Sequence, residues 1–455
     1  MEVEIGRGKK GRRAYGFDDI AIVPSRRTRD PDDIDITWTL GPYRFELPIV
    51  AAAMDGVVSP AMAAHMGALG GLAVLNLEGV WTRYEDAAAE LARIAELPPE
   101  RATAEMQRVY AAPVRDDLIA RRVREIKDQG VVCAASLTPQ RVREHYEVAL
   151  EAGLDILVIQ GTVISAEHVS TSSEPLNLKE FTNEVPCPVV VGGCASYSTG
   201  LHLMRTGAVG VLVGVGPGAA CTTRGVLGIG VPQATAIADV QAARSQHMLE
   251  TGEYVKVIAD GGMRTGGDVA KAFACGADAV MVGSPLARAY EAPGSGYHWG
   301  MATFHASLPR GARIKTTQNG TLEQILLGPA HENDGTFNLV GSLRTSMATC
   351  GHEDIPSFHR AEVMVAPALQ TEGKLLQREQ SVGMGATRAA AAAPAPPSGD
   401  GVMGEGDSPA GPPVEEPEPE PLVEVASGAP ERSLESSGEP VGVSAGAGSG
   451  ALLRG

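Results

Sequence analysis

The sequence predicts an α/β protein: a (β/α)8 TIM barrel followed by a disordered C-terminal tail. Three observations carry this. Eight short apolar runs recur along the chain, rich in Val, Ala and Ile and lacking polar alternation, as parallel strands covered on both faces require. The segments between them hold amphipathic helical patterns. None of the early runs is followed by a G-x-G-x-x-G, which disfavours the alternative of an open, doubly wound sheet.

The runs, in order, are PIVAAAM (48–54), GLAVLN (71–76), VVCAAS (131–136), DILVIQG (155–161), PVVVGG (188–193), GVLVGV (210–215), VKVIAD (255–260) and AVMVGS (279–284). Helices are expected over AAHMGALG (63–70), SYSTGLHLMRTGA (196–208) and DVAKAFACGA (268–277). Residues 82–125, charged and Ala-rich, read as helices inserted between the second and third strands. From about Gly383 the chain turns to ATRAAAAAPAPPSG, PPVEEPEPEPLVE and GAGSG, with no aromatic residue after Phe358. Such a segment has too little apolar surface to order itself. The expected division is therefore a catalytic barrel over 1–382 and a tail over 383–455.

A net charge of −17 argues against nucleic-acid or anionic-membrane partners. The polar opening MEVEIGRGKKGRR leads us to expect no signal peptide, and no apolar run of bilayer length is expected to span a membrane. The six cysteines form no C-x-x-C pair, so free thiols in a cytoplasmic setting are expected.

Chemistry concentrates at the ends of the last three strands, where barrels of this kind carry their sites. GVGPGAACTTRG (214–225) puts Cys221 at the end of a Gly-rich turn. A thiolate there can attack an electrophilic ring carbon, and Thr223, two residues on, can relay a proton. Carbonyls turned inward by Gly216 and Gly218 can hold a monovalent cation. Asp260 closes the seventh strand and can accept from two ribose hydroxyls. Gly261, Gly262, Gly283 and Ser284 form tight turns whose backbone N–H groups suit a phosphate. The competing reading is a packed cysteine beside a turn, with Asp260 as a helix cap.

These stretches, with FDDIAIVPSRRT (17–28), GYHWGMA (296–302) and NLVGSLRTSMATCG (338–351), resemble the IMP dehydrogenase/GMP reductase family over roughly residues 15–365. The resemblance implies a barrel, assembled as a homotetramer or octamer, that binds a purine 5′-monophosphate (IMP, XMP or GMP) and exchanges hydride with NAD or NADP. It implies Cys221 as nucleophile on purine C2 and Thr223 as its relay. Asp260 would then hold the ribose, and Gly262, Gly283 and Ser284 the phosphate. Met54, Gly300 and Met301 would lie against the base, and Gln160 and Gly161 beside the dinucleotide. The carbonyls of Gly216, Gly218 and Cys221 would bind a potassium-like ion.

Departures from the family pattern bear on the reaction. The CBS pair that most IMP dehydrogenases insert after the second strand is absent. Ala52 and Ala219 stand where the family has serines. The Lys of GMP reductases is missing from VLNLEG (74–79). Only Ala302–Leu308 separates GMA from the motif LPRGAR, leaving no room for the flap that activates water; Arg310 falls at the acidic or Gln base contact, and Arg310 and Arg313 are the candidates to replace the flap. The leading expectation is oxidation of IMP to XMP with NAD. The alternatives are GMP reduction with NADPH and nucleotide binding without turnover.

Overall fold

The computed structural model describes residues 2–165, 175–300 and 313–366, with positions 377 and 380. All of these belong to one compact unit, Met1–Pro394; a second unit, Ala395–Gly455, lies outside the described residues, as does the tail boundary expected near Gly383.

Eight parallel strands close into a barrel in sequence order. They are β1 (Ile49–Ala51), β2 (Leu72–Asn76), β3 (Ala134–Leu137), β4 (Ile156–Gln160), β5 (Val189–Cys194), β6 (Gly210–Val213), β7 (Lys256–Asp260) and β8 (Ala279–Val282). β8 returns to β1 through Val280↔Ile49, Met281↔Val50 and Val282↔Ala51, which excludes the open sheet. Each apolar run supplies one strand. Alternate residues face opposite ways: Val50, Val74, Val158, Leu212 and Ile258 fill the barrel, while Ala51, Leu75, Ile159, Val213 and Val257 pack under the helices. Both faces are dry, which is why polar alternation is missing. β3 starts later than its run, because the Asp155 carboxylate takes the Cys133 amide at 2.8 Å.

A hairpin of Trp38–Leu40 and Tyr43–Phe45 contributes Trp38, Leu40 and Phe45 to the barrel interior. Trp38 donates its indole N–H to the Leu47 carbonyl at 3.0 Å, just before β1. The outer layer includes α1 (Pro60–Ala68), and the segment between β2 and β3 forms α2 (Ala87–Glu96), α3 (Pro99–Tyr110) and α4 (Asp116–Lys127). Here the sequence reading is corrected. α4 is not an insertion: Ile119, Val123 and Ile126 enter the main core. Only α2 and α3 stand apart, around Leu91, Ile94, Met106, Val109 and Trp299. All three helices have the same charged, amphipathic composition, so only packing separates them. Among the described residues no helix is long and apolar enough to cross a membrane.

Candidate active site

A cavity of about 800 Å³ opens where the C-terminal ends of the strands meet their loops. Its wall includes every described residue that the sequence nominated except Arg313: Met54, Gln160, Gly161, Gly216, Gly218, Cys221, Thr223, Asp260, Gly261, Gly262, Gly283, Ser284 and Gly300. Met301 and Arg310 lie outside the described residues.

The loop after β6 carries Cys221 to this wall. Gly216 has φ +78°, and a Cβ there would lie 2.6 Å from Arg224 Cγ, so the turn requires glycine. Cys221 Sγ donates to Thr223 Oγ1 at 3.2 Å, and Thr223 is itself buried. The other five thiols are away from the cavity wall. Burial pushes Cys133, Cys194 and Cys275 up to about 12, and raises Cys187 and Cys350 as well. Those five are held as inert thiols.

Asp260 reaches the cavity from the end of β7. Burial pushes its carboxyl up to about 6, against the pull of Gln160, whose Nε2 donates to Asp260 Oδ2 at 3.2 Å. Gln233 pins this corner by donating to the Val213 carbonyl at 2.6 Å and the Asp260 carbonyl at 3.2 Å. Gly261 requires a correction: its amide donates to the Met281 carbonyl at 3.1 Å, because the β7–β8 ladder runs one residue further, so this N–H is not free for a phosphate. Gly262 stays on the wall at φ +84°.

Ser284 has a partner that sequence reasoning missed. Its hydroxyl is 2.7 Å from His298 Nε2, and His298 Nδ1 is 3.0 Å from Thr316 Oγ1. His298 is fully buried, and desolvation lowers it to about 4. The ring is therefore neutral, with one nitrogen donating and one accepting. The nearest signal was GYHWGMA, a stretch in which the sequence reading gives a role to Gly300 and Met301 and none to His298. Arg264, also missed, lines the cavity and pairs with Asp18 at 2.8 Å and Asp268 at 3.4 Å.

Arg313 is a further correction. Its guanidinium donates to the carbonyls of Ile94, Ala95 and Leu97 and stacks 4.1 Å from the Tyr297 ring centroid. It is turned into the inserted helices and cannot activate water. The cation expectation fits only in part, since the Gly218 carbonyl already accepts the Cys221 amide at 3.0 Å. For the dinucleotide, the Gly161 amide and carbonyl are taken by Gly192 and Gly193, leaving the Gln160 side chain, whose Oε1 is buried without a hydrogen-bond partner.

Fold and site together define a (β/α)8 barrel with a cysteine loop after its sixth strand and an acidic, glycine-turned seventh. Residues 14–374 match the IMP dehydrogenase/GMP reductase domain, and the chain belongs to that family of purine-nucleotide oxidoreductases. A Mycobacterium leprae protein described as an uncharacterized oxidoreductase is 49% identical over 373 residues, covering 80% of this chain and 100% of the relative. Inosine-5′-monophosphate dehydrogenase of Methanocaldococcus jannaschii is 26% identical, over 80% of this chain and 95% of its own. The crystal structure of an IMP dehydrogenase/GMP reductase-like protein from Corynebacterium glutamicum superposes with a TM-score of 0.76 at 46% identity, covering 80% of this chain and 97% of that one.

Proposed function

We propose that the protein oxidises IMP to XMP with NAD. The observation that carries this reading is the meeting in one cavity of the Cys221 thiol, its Thr223 partner at 3.2 Å and the Asp260 carboxyl. The base lies against Met54, Gly300 and Met301, and the ribose hydroxyls donate to Asp260. The 5′-phosphate sits at Gly262, Gly283 and Ser284, where small residues let an anion approach the backbone. Cys221, as thiolate, adds to C2, and hydride then departs from C2 with its electron pair to leave a thioimidate on the sulfur. Water adds to C2 and the C2–S bond breaks, leaving XMP and the Cys221 thiol, which becomes the thiolate again by giving up the one proton of the net reaction. Thr223 passes the proton, and Arg310 activates the water. When bound beside Gln160 and Gly161, NAD supplies the carbon that takes the hydride. The protein acts in the cytoplasm as a homotetramer or octamer.

GMP reduction with NADPH is the second reading, favoured by one observation: Arg313 is withdrawn from the cavity, and reduction needs no activated water. The purified protein incubated with IMP plus NAD, and with GMP plus NADPH, decides between them. Growth of the reduced-nicotinamide absorbance with XMP formed supports oxidation; its decay with IMP and ammonia formed supports reduction. Nucleotide binding without either change overturns both.

A further inference from the structure

The inserted helices α2 and α3 contribute no residue to the cavity wall, yet they join its two sides. At the end of α3 the Tyr110 hydroxyl donates to Asp55 Oδ2 and accepts the Trp299 indole N–H at 2.7 Å. Asp55 follows Met54 in the turn after β1, and Trp299 precedes Gly300 in the loop after β8. Met54 and Gly300 both line the cavity. Asp55 is 2% exposed and Trp299 1%, so no solvent substitutes for these bonds.

The two loops also touch through backbone. Gly294 donates to the Gly56 carbonyl at 3.1 Å, and a Cβ on Gly56 would lie 2.6 Å from the Tyr297 carbonyl oxygen. Gly79 leaves room for the Asp55 carboxylate, which a Cβ there would strike. Arg313, donating to Ala95 and Leu97 while stacked on Tyr297, ties the same post-β8 region to the end of α2. One hydroxyl of the insertion thus holds one loop by donation and the other by acceptance.

We propose that Tyr110 is a positioning residue, whose hydroxyl sets the gap between the Met54 turn and the Gly300 loop in which the purine base is held. The proposal rests on the nucleotide reading above. Without the hydroxyl, a buried carboxyl and a buried indole N–H each lose a partner, and both loops must move or admit water. A planar base responds to the width of that gap. Ribose and phosphate, held chiefly from β7 and the turn that ends β8, respond less, their link to the moving loop being the single Ser284–His298 bond.

The test is Tyr110→Phe in the full chain, titrated with IMP and with ribose 5-phosphate. IMP should bind about tenfold more weakly, with ribose 5-phosphate changed by less than about twofold. Amide hydrogen exchange should quicken at residues 55–58 and 297–300 but not in the barrel strands. Trp299→Phe, which removes only one of the bonds, should show the same pattern more weakly and add nothing when combined with Tyr110→Phe. Equal loss of both ligands, unchanged IMP affinity, or unchanged exchange in either loop overturns the proposal while leaving the nucleotide reading intact. A native protein that binds ribose 5-phosphate but gains nothing from the purine overturns both.

Discussion

Asp260→Asn probes the ribose site through a charge. Burial pushes this carboxyl from 3.8 up to about 6. An acid raised in the folded protein holds its proton at pH values where a free carboxyl has lost it. The ionised acceptor therefore disappears as pH falls through about 6, and affinity goes with it. At pH 5 only about one molecule in ten carries the carboxylate, so IMP should bind about tenfold more weakly than at pH 7.5 on this account alone. The nucleotide's own phosphate also titrates near 6. Asp260→Asn retains that contribution and loses the first, so the difference between the two proteins isolates Asp260. At pH 7.5 the native protein should prefer IMP to its 2′-deoxy analogue by about tenfold to a hundredfold, from a charge-assisted bond worth roughly 1.5–3 kcal/mol. The preference should largely vanish in Asp260→Asn. Titration calorimetry at pH 5, 6 and 7.5 measures both quantities. Identical pH slopes in the two proteins, or an unchanged ribo/deoxy ratio, would refute the reasoning.

Cys221→Ala should abolish turnover while IMP still binds in calorimetry, because ribose and phosphate are held from other strands; turnover retained in this variant sinks the thioimidate. Asp55, buried and pushed up to about 6, takes its proton in the folded state before the unfolded one does, so it stabilises the protein as pH falls through 6 and not at neutral pH. Its share between pH 7.5 and pH 5 is on the order of 1 kcal/mol, and denaturant melts of Asp55→Asn should lack that increment. A chain ending at Met384 should keep its melting temperature and its oligomer size by light scattering, since residues 385–455 are too poor in large apolar side chains to form a core.

Each barrel strand was legible because its signal is local. A run dry on both faces looks the same wherever its neighbours come from, and eight of them separated by helical lengths close in one familiar way. The cysteine loop and the DGG turn were legible for the same reason: their glycines, thiol and carboxyl lie within a few residues of one another. Other features needed the fold. α4 carries the same charged, amphipathic pattern as α2 and α3, yet belongs to the barrel because of what it packs against. Gly261 looked like a free amide until β8 was paired beside it.

By itself, then, the sequence determined the strands, their order and the chemical groups at their ends, because apolar periodicity and turn chemistry are written in neighbouring residues. Only the tertiary structure decided which groups meet. Gln160 finds Asp260 across 100 residues, Trp299 finds Tyr110 across 189, and Arg313 finds Ile94 across 219. No local pattern encodes such pairs. They arise when barrel closure brings distant loops to one rim, where a buried donor or acceptor must find whatever partner the packing has placed beside it.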